Sequence, residues 1–348
     1  MSEPNTAPAG IDVGPVTCWF ASEVPGARPP LRFDLIPGGR SNLTYRVEDG
    51  AGRAWVLRRP PLGPILPSAH DMGREHRIMA ALEPTPVPVP RMVGFCGEPE
   101  VTGAPFYAME FVDGLVLRNP DVVAGVPEAI RWTAAESLVD TLAVLHDVEP
   151  AAVGLGELGR QDGYCARLLR RWSAQWEQSK TREIPLIEEV AERLGRRIPT
   201  QGPARLVHGD YRLDNAVTDP ANGRVRAILD WEISTLGDPL ADLGTLLVYW
   251  AEPDDEFSPL FWAPTVAPGF PTRKHLAERY AERSGRDISD LDFYVALSLW
   301  KVAVILEGVY ARFAAGAYGN TDDSHRQIGT VVPQLAEAAA EATARAGG

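Results

Sequence analysis

Near Asp113-Gly114 the hydrophobic pattern of this chain changes period, and that change limits the possible folds more than any other feature. Upstream, FDLIPGGRSNLTYRVEDGAGRAWVLRRPP reads as strand, glycine turn, strand, a second turn at Asp49-Gly50-Ala51-Gly52, and a third strand that stops before Pro60 and Pro61. The spacing predicts an antiparallel meander. MGREHRIMAALE then has helical spacing through Met72, His76, Met79 and Leu82, and two more strands follow in VPVPRMVGFCG and APFYAMEFVDG. From about residue 126 the pattern belongs to long amphipathic helices, interrupted near residues 206–232 by two short strands around a loop. A small β-rich N-terminal lobe over residues 1–113 and a larger, mainly helical lobe over 114–348 are therefore expected, with a cleft between them; the fold class is α+β.

The length agrees with two lobes, since 348 residues at 45% hydrophobic content exceed what one core usually serves. A formal net charge of −13 argues against nucleic acid or an anionic membrane as partner. The three cysteines, Cys18, Cys96 and Cys165, show no paired spacing, so neither a disulfide framework nor a zinc site is expected. With neither a signal-peptide pattern at MSEPNTAPAGIDVG nor an apolar run long enough to span a bilayer, a cytoplasmic protein is expected.

The interrupting stretch, LVHGDYRLDNAVTDPANGRVRAILDWE, carries the chemistry. Asp210 and Asn215 stand five apart in a loop after one apolar run, and Asp230 ends the next. Phosphoryl transfer from ATP asks for this set: a carboxylate that takes the proton of the acceptor hydroxyl, and hard oxygen ligands that hold Mg2+ on the phosphates. On that reading Asp210 is the catalytic base and Asn215 and Asp230 are metal ligands. Taken alone, such residues are ordinary turn and cap residues. Their company upstream separates the readings: Gly38 and Gly39 at a strand turn, where backbone N–H groups can approach phosphate, Ser41 and Asn42 as further donors, Arg58 at the end of the third strand, and Glu75 on the next helix to hold it.

The chain resembles the aminoglycoside phosphotransferase and choline kinase-like family in HGDYRLDN, ILDWE and GDPLADL. Within it, VLRRPP, RRWSAQWEQSK, ILDWEISTLGDPLADLG, GFPTR and YAERSGRD resemble the branch whose kinase domain also occurs fused to acyl-CoA dehydrogenases. The resemblance implies a protein kinase-like fold and ATP-binding through the N-terminal lobe. It implies ATP (or GTP) and Mg2+ as cofactors, and a small-molecule hydroxyl as acceptor. It also implies that Glu110 and Val112 offer backbone groups to adenine and that His208 braces the loop. Asp238 and Asp242, just past the metal-ligand strand, read as helix cap and loop brace rather than ligands. Arg58 stands where the wider family has lysine, and the two are not interchangeable.

For the acceptor, Trp250, Arg273 and Lys301 are candidates, while the run Glu252, Asp254, Asp255, Glu256 is of the kind a polycationic aminoglycoside would need. The branch resemblance favours a hydroxyacyl or other metabolite, with an aminoglycoside as the alternative. A nucleotide-binding pseudokinase module is a reading from another class.

Overall fold

A computed structural model of the chain describes residues 8–37, 42–63, 70–259, 263–316 and 324–346. By compactness they fall into two units, residues 1–113 with 226–232, and 114–225 with 233–348.

The first unit is built on a five-stranded antiparallel sheet. Helix α1 (Val13–Glu23) precedes β1 (Arg32–Leu35), β2 (Leu43–Glu48) and β3 (Ala54–Arg59); α2 (Met72–Leu82), β4 (Met92–Cys96), the single turn α3 (Pro99–Thr102) and β5 (Phe106–Glu110) follow. The order across the sheet is β1-β2-β3-β5-β4, so the expected meander is present and β5 inserts beside β3. Alternation divides the strands between two faces. Tyr45, Val47, Trp55, Leu57, Phe106 and Ala108 share one core with Val16 and Phe20 of α1. Arg58 has the opposite parity and sits across from Tyr107 of β5.

Helix α1 lies in the Pro- and Gly-rich lead, where no element was anticipated. Val16 and Phe20, spaced i and i+4, bury completely, and Trp19 meets Phe106 edge-on at 4.8 Å. The reason it forms is tertiary. Gly94 of β4 leaves room for the Trp19 ring, which a Cβ there would approach to 2.8 Å.

The second unit is mainly helical: α4 (Pro120–Ala124), α5 (Glu128–Asp147), α6 (Tyr164–Ser179) and α7 (Pro185–Arg196) come first. Four short strands lie in and just after the polar stretch where two were expected, β6 (Arg205–Val207), β7 (Ala216–Thr218), β8 (Val225–Ile228) and β9 (Thr235–Gly237); β7 and β9, at three residues each, are too short to show an alternating pattern. β6 pairs antiparallel with β9, Thr218 exchanges backbone hydrogen bonds with Leu115, and the chain from Arg226 belongs to the first unit until Glu232. Helices α8 (Leu240–Tyr249), α9 (Arg273–Ser284), α10 (Leu291–Ala314) and α11 (Ser324–Arg345) complete it. α10 is long and apolar enough to cross a membrane, but 72% of that apolar window is buried because α6, α7, α8 and α11 pack around it.

Two buried features hold these helices. Gly244 of α8 lies so close to α10 that a Cβ would stand 2.5 Å from the Tyr294 carbonyl oxygen. His146 of α5, fully buried, accepts the Tyr280 hydroxyl of α9 at Nδ1 (2.7 Å) and donates from Nε2 to Asp242 of α8 (3.2 Å). Those partners assign the neutral tautomer with the proton on Nε2. Burial holds the His146 pKa down against the pull of Asp242.

A Gly244→Ala substitution, which raises helix propensity by about 1 kcal/mol, is expected to destabilise the protein by about 2 kcal/mol because backbone cannot yield as a side chain does; urea unfolding measures it. As pH falls through about 6.5, the unfolded chain takes up a proton at residue 146 that the native state refuses. Stability is therefore expected to decline below that pH, with a slope of up to about 1.4 kcal/mol per unit from this one group. A His146→Gln variant should show the shallower slope in urea titrations between roughly pH 7.5 and 5.5.

Candidate active site

In the first unit a single cation organises three carboxylates. Arg58 extends from β3 on the face that α2 covers, and its guanidinium lies 2.5 Å from Asp230, 3.4 Å from Glu75 and 3.6 Å from Glu232. Burial works against the charge, but Tyr107, Asp230, Glu75 and Glu232 outweigh it and raise the Arg58 pKa. Glu75, 1% exposed, also accepts the Tyr107 hydroxyl (2.9 Å) and the Asn42 amide (3.4 Å). Burial pushes its carboxyl up, and Arg58 opposes that. The expected Arg58–Glu75 pair is thus present. Arg58 Nε is buried and faces the Glu75 carboxylate at 3.4 Å without making a hydrogen bond, so charge rather than a hydrogen bond holds that contact.

Asp230 sits at φ +67°, in the left-handed region where aspartate is among the tolerated residues, directly after β8. The buried Trp231 donates to the Ile228 carbonyl at 3.0 Å and holds that turn. Asn42 is fully engaged: its amide nitrogen donates to Glu75 and Glu232, and its oxygen meets His70 Nδ1 at 2.8 Å. It ties the carboxylates together rather than reaching outward. Glu110 ends β5 with its carboxylate exposed beside Arg91, and Val112 follows in irregular backbone with no partner for its N–H among the described residues. Gly38, Gly39 and Ser41 lie outside the described residues.

In the second unit the loop after β6 is shaped from behind. The Asp242 carboxylate accepts the His208 N–H at 2.6 Å and the Gly209 N–H at 2.7 Å, besides His146. Burial would raise its pKa, yet these donors hold it low, so Asp242 is ionised. His208, completely buried, receives the Asp210 N–H at Nδ1 (3.3 Å), and Ser234 holds its carbonyl (3.1 Å). Gly209 turns at φ +85°, where a Cβ would meet Ile233 at 3.0 Å, so glycine is required twice over. Asp238 caps α8 by accepting the Leu240 N–H and takes the Tyr294 hydroxyl at 2.6 Å.

The loop front carries Asp210 and Asn215. The Asn215 amide donates to the Asp210 carboxylate (3.1 Å) and carbonyl (2.9 Å), which leaves its oxygen for another partner. The sequence reading passed over Arg212, which joins Asp210 and Asp214 at 3.2 Å each and lies over the Tyr249 ring. No periodic pattern announces such a pair inside an irregular loop. Asp214, left without a role in the sequence, is Arg212's second anchor.

The acceptor candidates separate. Trp250 is core, 1% exposed, with its indole N–H on the Pro271 carbonyl, and it borders a small recess with Arg212, Asp214 and Tyr249. Arg273 is clamped by Glu252 (3.1 Å) and Asp255 (2.5 Å) on a cavity of about 680 Å³, so the acidic run is partly neutralised from within. Lys301 is buried beside the loop that carries Asp210, donating to the Gly209 carbonyl.

For magnesium, the described residues contain no group of three or more acidic, histidine or cysteine side chains arranged around a metal. Mg2+ on a nucleotide needs fewer, since phosphates and water complete its shell. Within the second unit the Asn215 amide oxygen, and within the first unit the second Asp230 carboxylate oxygen, are each left outside the hydrogen bonds above.

Comparison with known proteins gives the family and the fold. The profile of the phosphotransferase enzyme family (APH) matches residues 32–293. Acyl-CoA dehydrogenase family member 11 of Rattus norvegicus is 34% identical over 345 residues, 94% of this chain but 42% of that protein, so the chain spans about two fifths of this relative's length. A structure from Ralstonia eutropha JMP134, provisionally described as an aminoglycoside phosphotransferase, is 31% identical with a TM-score of 0.80 over 96% of this chain and 98% of that one. A thermostable mutant of aminoglycoside phosphotransferase APH(4)-Ia, in ternary complex with ADP and hygromycin B, shares the fold at 14% identity, with a TM-score of 0.61 over 89% of this chain and 94% of its own. The fold is protein kinase-like, and the chain belongs to the phosphotransferase enzyme family.

Proposed function

We propose that this protein is a small-molecule kinase that moves the γ-phosphate of ATP, or of GTP in its place, to an alcohol hydroxyl. The observation that carries the reading is the loop of Asp210 and Asn215, held on a buried carboxylate with one aspartate oxygen and one amide oxygen turned to the front. Asp210 receives the proton of the acceptor hydroxyl as that oxygen bonds to the γ-phosphorus and the bond to the β-phosphate oxygen breaks. Arg58, steadied by Glu75, meets phosphate oxygens, and Gly38, Gly39 and Ser41 are the further phosphate donors that the sequence offers. Backbone groups of Glu110 and Val112 hold the base. Asn215 and Asp230 are the residues that would hold Mg2+, which neutralises charge on the phosphates when bound.

A hydroxyacyl or other metabolite is the favoured acceptor, supported by the acyl-CoA dehydrogenase names of the relatives. An aminoglycoside acceptor is supported by the hygromycin B in one structural neighbour, but the Arg273 clamp on Glu252 and Asp255 weakens the acidic subsite it would use. A silent nucleotide-binding module fits less well, because Asp210, Asn215 and Asp230 are all retained.

Turnover of ATP with Mg2+ across hydroxy acids, hydroxyacyl-CoAs and aminoglycosides tests the reading; nucleotide-dependent thermal stabilisation without turnover on any of them would favour the silent module. Asp210→Asn is expected to lower kcat by about 10² to 10⁴ while leaving the nucleotide KM unchanged. Arg58→Lys should weaken nucleotide binding by roughly 10-fold or more in calorimetry, because an ammonium cannot serve several oxygens with a planar fork.

A further inference from the structure

Lys301 is a charged residue in the middle of the apolar core helix α10 with no place in the chemistry described so far. It is 8% exposed. Its ammonium donates to the Gly209 carbonyl at 3.1 Å and to the Thr245 hydroxyl at 3.3 Å, and it makes no ion pair among the described residues. Thr245 passes its own proton to the Ala241 carbonyl, so its oxygen is an acceptor toward the lysine. Keeping a charge there opposes burial, which pushes the lysine pKa down against the attraction of Asp210 and Asp242. A core helix of this composition would pack more cheaply with methionine or leucine.

The carbonyl it grips belongs to the peptide that carries Asp210. That peptide is held at both ends: its N–H by His208 Nδ1 and its carbonyl by Lys301, while the preceding peptide N–H is fixed by Asp242. Gly209, at φ +85°, is the residue at which such a peptide could rotate with least resistance. We infer that Lys301 is a positioning residue for phosphoryl transfer: by fixing the Gly209–Asp210 peptide it sets the direction in which the Asp210 carboxylate faces the acceptor hydroxyl. This rests on the reading of Asp210 as the base. It also gives Lys301 a role behind the loop in place of contact with the acceptor.

Lys301→Met keeps the volume and removes the donor. It is expected to lower kcat by about 100-fold, the scale of an ångström misplacement, with the nucleotide KM unchanged and the thermal midpoint equal or higher. Lys301→Ala opens space in the recess lined by Tyr164, Leu168, Ser298 and Gly209. n-Propylammonium, the missing part of the side chain, should restore its turnover saturably, whereas n-propanol of equal size should not. A Met variant that keeps more than about a third of wild-type kcat overturns the inference, and so does an Ala variant that no concentration of the amine restores. A wild-type protein that transfers phosphate to no acceptor and to no water overturns the kinase reading and the lysine's role together; normal wild-type turnover beside an unimpaired Met variant overturns only the latter.

Discussion

The buried Asp242 carboxylate is the interaction on which the His208–Asp210 loop of the second unit depends. It takes two consecutive backbone N–H groups, of His208 and Gly209, and a histidine from α5. Hydrogen bonds to an ionised acceptor are about twice as strong as neutral ones, and an ionised group this deep survives only because its donors are all satisfied. The loop is therefore not a flexible connection that happens to carry an aspartate. Its backbone is moulded from within, and the side chains that face outward inherit that rigidity.

The first unit solves the complementary problem with the sign reversed: one buried cation among three carboxylates. Arg58 neutralises Glu75 from one side and Asp230 from another, and Asn42 bridges Glu75 and Glu232. Removal of the guanidinium would leave several acids in a poorly solvated place without a counter-charge. Parity decides which arginine does this. Arg59, one residue on, faces the other side of the sheet and spends its donors on the carbonyls of Gly10, Pro60 and Thr102.

What the sequence made legible was local or periodic. The meander, helix α2 and the long helices follow from spacings of 2 and 3.6, and Asp210 with Asn215 from a five-residue interval inside one loop. Arg58 and Glu75 were legible because strand end and following helix are neighbours in the chain. What was not legible joins distant segments. Lys301 reaches Gly209 across 92 positions and His146 reaches Asp242 across 96, and neither pairing has a trace in composition or period. Helix α1 escaped because its short apolar stripe is framed by glycine and proline, and only the sheet it covers makes the helix worth forming.

The interleaving of the two units has a consequence for synthesis. The first unit is not complete when the chain reaches Asp113, since Asp230 and Glu232 arrive only after α5, α6, α7 and the Asp210 loop have been made. Until then a nascent Arg58 has Glu75 but lacks its nearer carboxylate. An N-terminal fragment ending at the apparent hinge would carry the whole sheet and still lack the anions that settle its buried charge, so the sheet's last step of folding waits on the ribosome's progress through the other unit.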